Sequence, residues 1–248
     1  DEKFNNQYDQ KVFERFINRN IYHANLPEDP NAFKKFSELL LYDDRFPKNF
    51  AFFLSVRPSD FALIVDQLAK VKLLNETQYW RRVLIEKPFG TDLKSAIELQ
   101  ASISKHLKET QIYRIDHYLG KSALQNILWT RFSNSIFEHM WNNEHIDHIQ
   151  ITNHETLGVG ERTQFYDATG ALRDMTQSHL LQMLALSTME KPKSFSPNDI
   201  RIEKIKLLKS IRPIPIDNIE KFAFRAQYKS GVIEKEGNVK GYLEELEG

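Results

Sequence analysis

Three short runs combine ionisable, aromatic and hydroxyl side chains densely enough to do chemistry. The first is Glu86-Lys87-Pro88-Phe89-Gly90, directly behind the apolar run Val83-Leu84-Ile85. In an open parallel sheet, ligands bind outside the carboxyl ends of the strands, so a Lys there can meet an anion or a sugar hydroxyl, with Pro88 fixing the turn. A strand-ending turn with a solvated Lys has the same spelling, and spacing does not choose between the two. The second run is Arg114-Ile115-Asp116-His117-Tyr118-Leu119-Gly120-Lys121, which leaves an apolar stretch and enters a helix. Backbone N–H groups at a helix start attract anions, and His117, Tyr118 and Lys121 add a ring, a hydroxyl and an ammonium. A phosphate monoester suits that set. The competing reading, a surface turn, is weakened by Tyr113, Ile115 and Leu119, which pull the segment inward.

The third run is Arg173-Asp174-Met175-Thr176-Gln177-Ser178-His179, on a segment from Gly170 to Met189 that is apolar nearly all round and therefore reads as a buried helix. Leu172, Met175, His179, Met183 and Leu186 fall on one helical face, which sets His179 in an apolar stripe. Such a His is more often a satisfied core residue than a catalyst. Yet Asp174, Gln177 and His179 are many polar groups for so apolar a helix, and a buried imidazole backed by a carboxylate such as Asp116 would be a general base. His145, His148 and His154 invite a metal reading, but strand parity puts His145 opposite the other two, and His148 and His154 are too far apart for one ion. No metal site is expected. Gly158-Val159-Gly160 lacks the third glycine and the preceding strand of a dinucleotide fingerprint.

These runs need elements to hold them. Phe4, Tyr8, Val12, Phe16 and Ile17 fall at helical spacing, and Asp29-Pro30 opens a second helix to about Tyr42. Phe50 to Val56 reads as a buried strand, Ser59 as the cap of a helix carrying Phe61, Ile64, Val65, Leu68 and Val71, and Val83 to Ile85 as a second strand. A helix from Asp92 to Lys108 follows, with Leu93, Ala96, Ile97, Ile103 and Leu107 as one stripe, and then a third strand, Gln111 to Asp116. Strand, helix, strand, helix, strand predicts two βαβ crossovers and a parallel sheet covered on both faces. A domain boundary is expected near Asp116, dividing residues 1–116 from 117–248. Beyond it the pattern predicts a helix over Lys121 to Phe132, a strand with one wet face over His148 to His154, an exposed Lys-rich helix after Ser196-Pro197, and a strand at Phe222 to Tyr228.

Composition limits the function classes. With 248 residues, 41% hydrophobic and 27% charged, the chain is long enough for one large or two smaller cores, which excludes disorder. Thirty-four basic against 34 acidic side chains leave no electrostatic footprint of a dedicated nucleic-acid binder. No apolar run is long enough to cross a bilayer. Cysteines are absent, which rules out disulfides and thiolate sites and fits a reducing cytosol. The first 89 residues contain no glycine, so a glycine-rich nucleotide loop cannot lie there, and the chain reads as partial.

At the three runs the chain resembles the glucose-6-phosphate dehydrogenase family. Ile112 to Lys121 is similar to its active-site signature, Glu86 to Gly90 to its cofactor-side turn, and Gly170 to Gln182 to its catalytic helix. Met189-Glu190-Lys191-Pro192 also fits, and the likeness runs in register from about Asn31 to Glu245. The resemblance implies an α/β Rossmann-like parallel sheet, incomplete here, followed by an α+β domain with a mostly antiparallel sheet. It implies NADP-dependent oxidation of glucose 6-phosphate to the lactone, in the cytoplasm, by a homodimer or homotetramer when full length.

By the same resemblance His179 is the base at the C1 hydroxyl and Asp116 its partner. His117, Tyr118 and Lys121 hold the 6-phosphate, and Glu155 and Asp174 bind sugar hydroxyls. Lys87 reaches substrate and cofactor, and Pro88 sets the cofactor-side turn. The family's opening strand and Gly-rich loop, and a later substrate-binding Lys, are missing from this stretch, so the chain by itself is expected to be inactive. Ser122, Ser178 and Arg57 depart from the usual Glu, Asn and Pro or small residue, and Arg57 could disturb the cofactor edge. Two alternatives stay open: a truncated paralogue that binds sugar phosphate without turnover, and a glucose–fructose oxidoreductase-like enzyme.

Overall fold

The computed structural model describes residues 9–24 and 26–246. The chain divides into two compact units, Asp1–Ile115 and Asp116–Gly248. In the first, helix α1 (Gln10–Ile17) is capped by the Asp9 carboxylate, which accepts from the N–H groups of Lys11 and Val12. Its apolar residues Val12, Phe13, Phe16 and Ile17 are exposed, while Phe4 and Tyr8 lie outside the described residues. Helix α2 (Pro30–Tyr42) starts as predicted, with Pro30 in its first turn and Asp29 accepting from Asn31 N–H.

Strands β1 (Phe50–Leu54), β2 (Arg81–Ile85) and β3 (Ile112–Arg114) form a parallel sheet in that order, with Phe52 opposite Val83 and Val83 opposite Ile112. Helix α3 (Phe61–Lys70) joins β1 to β2 and α4 (Leu93–Ser104) joins β2 to β3. One sheet face, carrying Phe50, Leu54, Val83, Ile85 and Ile112, is buried against Phe33, Phe61, Val65, Leu68 and Ile103. Among the described residues the other face is largely uncovered: Ala51 and Tyr113 are exposed, Phe53 is 55% exposed, and Arg82 and Leu84 are half-buried. Among the described residues the expected cover is found on one face and not on both. Three strands in sequential order, joined by crossovers of one hand, put both helices on one side, and α3 and α4 do pack together.

Two local expectations also fail. Ser59 does not cap α3; its hydroxyl bonds the Asp60 carboxylate at 2.9 Å, and a 3-10 turn, Pro58–Asp60, leads into the helix. Leu93 and Ile97 point outward, and α4 meets the core through Leu99 and Ile103, followed by Leu107.

The second unit opens with a 3-10 turn, His117–Gly120, and runs through α5 (Ser122–Phe132), α6 (Ser135–Met140) and α7 (Thr163–Ala171). A π-helical stretch, Leu172–Leu180, then continues into α8 (Leu181–Thr188). Helix α9 (Pro197–Ser210) is capped by Ser196 as the motif predicts. A two-stranded antiparallel sheet, β4 (Gly231–Ile233) with β5 (Gly237–Val239), and α10 (Tyr242–Leu246) follow. Tyr118, Leu124, Phe132, Leu186 and Met189 make the core.

Buried Arg131 of α5 fastens the carboxyl end of α8, donating to the carbonyls of Leu186 at 2.7 Å and Met189 at 2.9 Å. Burial pushes its pKa down to about 10. The strands expected at 148–154 and 222–228 are not formed. A strand persists only when its backbone groups are paired, and among the described residues neither segment pairs in a sheet. No helix among the described residues is long and apolar enough to cross a membrane.

Candidate active site

Asp116 follows β3 in extended conformation, and its carboxylate caps the 3-10 turn by accepting Tyr118 N–H at 3.0 Å. The same oxygen faces Nδ1 of His179 at 2.6 Å. His179 is 1% exposed and the Asp116 side chain 15%. A carboxylate at Nδ1 draws the ring proton to that nitrogen and leaves Nε2 with its lone pair, the tautomer a general base needs. The Tyr118 ring stacks on His179 with centroids 4.0 Å apart, and His117 meets His179 edge-on at 4.7 Å. Lys121 places Nζ 3.7 Å above the Tyr118 ring. Stacking fixes the imidazole plane, and the Asp116 bond fixes its rotation.

The helix carrying His179 is not the one its periodicity predicts. Gly170, at φ 70° and ψ 164°, kinks the end of α7 just before the π-helical stretch. π-Helical hydrogen bonding runs five residues along the chain instead of four, which widens the turn and shifts the faces that a 3.6-residue count predicts. The expected stripe holds except at its start: Leu172 is 67% exposed, whereas Met175 and Met183 pack against the core that contains Leu186, and His179 is buried. Asp174 is half-buried, and its carbonyl accepts from Ser178 Oγ at 2.6 Å, so the departure at 178 is absorbed by the helix backbone.

Glu155 is exposed and joins the cluster through Asn153. The amide of Asn153 donates to Glu155 at 3.3 Å, and its oxygen accepts from the Tyr118 hydroxyl at 3.0 Å. Asn153 was missed in the sequence because it shares strand parity with Ile149 and Ile151 rather than with the wet-face residues. Lys204 was missed as well. It belongs to a helix that reads as exposed, yet burial lowers its pKa, partly offset by the Asp116 charge.

Lys87 and Pro88 lie in the first unit, half-buried on the turn behind β2, and the peptide bond between them is cis. Gly90 closes that turn at φ 80°, where a Cβ would stand 2.5 Å from the backbone nitrogen of Ala96. Only glycine lets the turn pack so closely on the start of α4. Arg57 is exposed and donates to Asp60 at 3.1 Å, within its own turn.

Residues 1–126 match the family model "Glucose-6-phosphate dehydrogenase, NAD binding domain", and residues 128–247 match "Glucose-6-phosphate dehydrogenase, C-terminal domain". The chain is 40% identical over 242 residues to the glucose-6-phosphate 1-dehydrogenase of Rhizobium meliloti, covering 98% of this chain and 48% of that relative. It is 43% identical over 227 residues to the one of Bacillus subtilis, covering 90% and 46%. Among solved structures, a glucose-6-phosphate dehydrogenase in complex with its substrate glucose-6-phosphate superposes with a TM-score of 0.84 at 33% identity. That match covers 97% of this chain and 49% of the other. The chain thus spans about half the length of these relatives.

Proposed function

The chain belongs to the glucose-6-phosphate dehydrogenase family, and from that premise we propose that the protein oxidises glucose 6-phosphate to 6-phosphoglucono-1,5-lactone with NADP as hydride acceptor. The observation that carries this reading is the buried His179–Asp116 pair at 2.6 Å with Tyr118, His117 and Lys121 gathered around it. In this reading His179 Nε2 takes the proton of the C1 hydroxyl. Asp116, already bonded at Nδ1, stabilises the imidazolium through a charge-assisted hydrogen bond. Nothing has to rearrange when the charge appears.

His117, Tyr118 and Lys121 hold the 6-phosphate, and Glu155 and Asp174 accept from sugar hydroxyls. The turn at the carboxyl edge of β2, where parallel sheets take ligands, suits a cofactor, and Lys87 and Pro88 would hold it, Lys87 serving the substrate as well. When bound, the oxidised nicotinamide supplies the hydride acceptor. The choice of NADP, a cytoplasmic location and a homodimer or homotetramer follow the same family reading.

Calorimetry on the 248-residue chain tests the substrate site. Glucose 6-phosphate is expected to bind, unphosphorylated glucose to bind far more weakly, and Lys121→Ala to cost roughly tenfold or more in affinity, the size of a lost charge-assisted bond. Equal affinity for the two sugars, or an unchanged isotherm in Lys121→Ala, would overturn the phosphate assignment.

A further inference from the structure

The fold brings together a second kind of donor set that the chain order hides. Asp116, His117 and His179 each offer one ligating atom, and these atoms all lie within 4.8 Å of one another. Two imidazoles and a carboxylate are the donors preferred by borderline dications such as Zn2+ and Co2+, whereas Mg2+ and Ca2+ prefer all-oxygen sites. We propose that Asp116, His117 and His179 form a binding site for a transition-metal dication of the Zn2+ class.

The geometry needs little adjustment. With metal–ligand bonds of about 2 Å, two ligands of a tetrahedral ion stand roughly 3.3 Å apart. The Asp116–His179 separation of 2.6 Å would open slightly, and His117 would draw inward. His117 is exposed on its turn, so its ring moves without disturbing the core, whereas His179 is held by the Tyr118 stack. An ion seated there replaces the His179–Asp116 hydrogen bond, so an occupied site has no dyad. The charges already acting nearby are the ammonium of Lys204, which acts on Asp116, and that of Lys121 against the Tyr118 ring.

The proposal depends on three side chains and not on the dehydrogenase reading. CoCl2 titrated into the chain in phosphate-free buffer, followed by visible absorption, tests it directly. One Co2+ per chain is expected, with an intensified band of low coordination number that Zn2+ displaces. His117→Ala should weaken binding at least tenfold while the pair behind it stays intact. His148→Ala, which removes an exposed His bonded to neighbouring Asp147, should bind as the parent does. Absence of the band, equal binding in His117→Ala, or loss of binding in His148→Ala would overturn the site. Activity is not read, so such a failure leaves the substrate assignment standing, and failure of sugar binding leaves the metal result standing.

Discussion

Because Asp116 faces Nδ1 of His179 at 2.6 Å, the other ring nitrogen is the one that can take a proton, and the Tyr118 stack decides where it points. This much was legible in the sequence: a His among apolar helical neighbours and an Asp at a strand end gave the pair, though not its contact. Lys204 was not legible, since a lysine on an amphipathic surface helix has the same spelling whether its head reaches water or not. Burial lowers its pKa despite the Asp116 charge, so the folded chain holds that proton less tightly than the unfolded one. Between the lowered value and the ordinary one the unfolded state binds more protons and stability rises with pH; at neutral pH, below both, the full cost of the buried ammonium is present. Lys204→Met is therefore expected to raise the thermal midpoint at neutral pH, and the gain should shrink as pH climbs through that window. A lower midpoint in scanning calorimetry would show that pairing with Asp116 outweighs burial.

At the scale of elements, regular periodicity predicted well and departures from it did not. Helix α2, with Asp29 and Pro30, and the parallel strands at Phe50 and Val83 follow from local patterns. The π-helical stretch defeats a 3.6-residue count at its start, and that is why Leu172 was placed inside. Strands at 148–154 and 222–228 failed for another reason: alternation shows that a segment can be a strand, but pairing needs a partner elsewhere. Two glycines show how local geometry holds the site elements. Gly170 has φ 70° with open space around it, so Gly170→Ala should cost about 1 kcal/mol of backbone strain. Gly90 has φ 80° and backbone at 2.5 Å from the position of a Cβ, so Gly90→Ala adds overpacking and should cost about 2 to 4 kcal/mol. Urea unfolding of the two variants ranks them; equal costs would show that the turn before α4 yields easily.

Over the whole molecule, the described residues of the first unit build a core on one sheet face and include Lys87 and Pro88, and the second unit holds the His179–Asp116 cluster. The open sheet face makes a prediction opposite to that of a covered sheet. Phe53→Lys should change stability by less than about 0.5 kcal/mol, as surface changes do, while Val83→Ala, on the buried face, should cost more than about 1 kcal/mol. Similar losses in chemical denaturation would mean that the Phe53 face is packed. That face was misjudged because apolar strands such as Phe50 to Leu54 look alike whether covered on one side or two; strand order, which the sequence does not spell out, decides it. The most direct test of the function is NADP reduction by glucose 6-phosphate in the whole protein carrying His179→Ala. Turnover is expected to fall by roughly two to four orders of magnitude, the loss of a general base, while calorimetry still shows sugar-phosphate binding. Unchanged turnover would contradict the role of the His179–Asp116 pair.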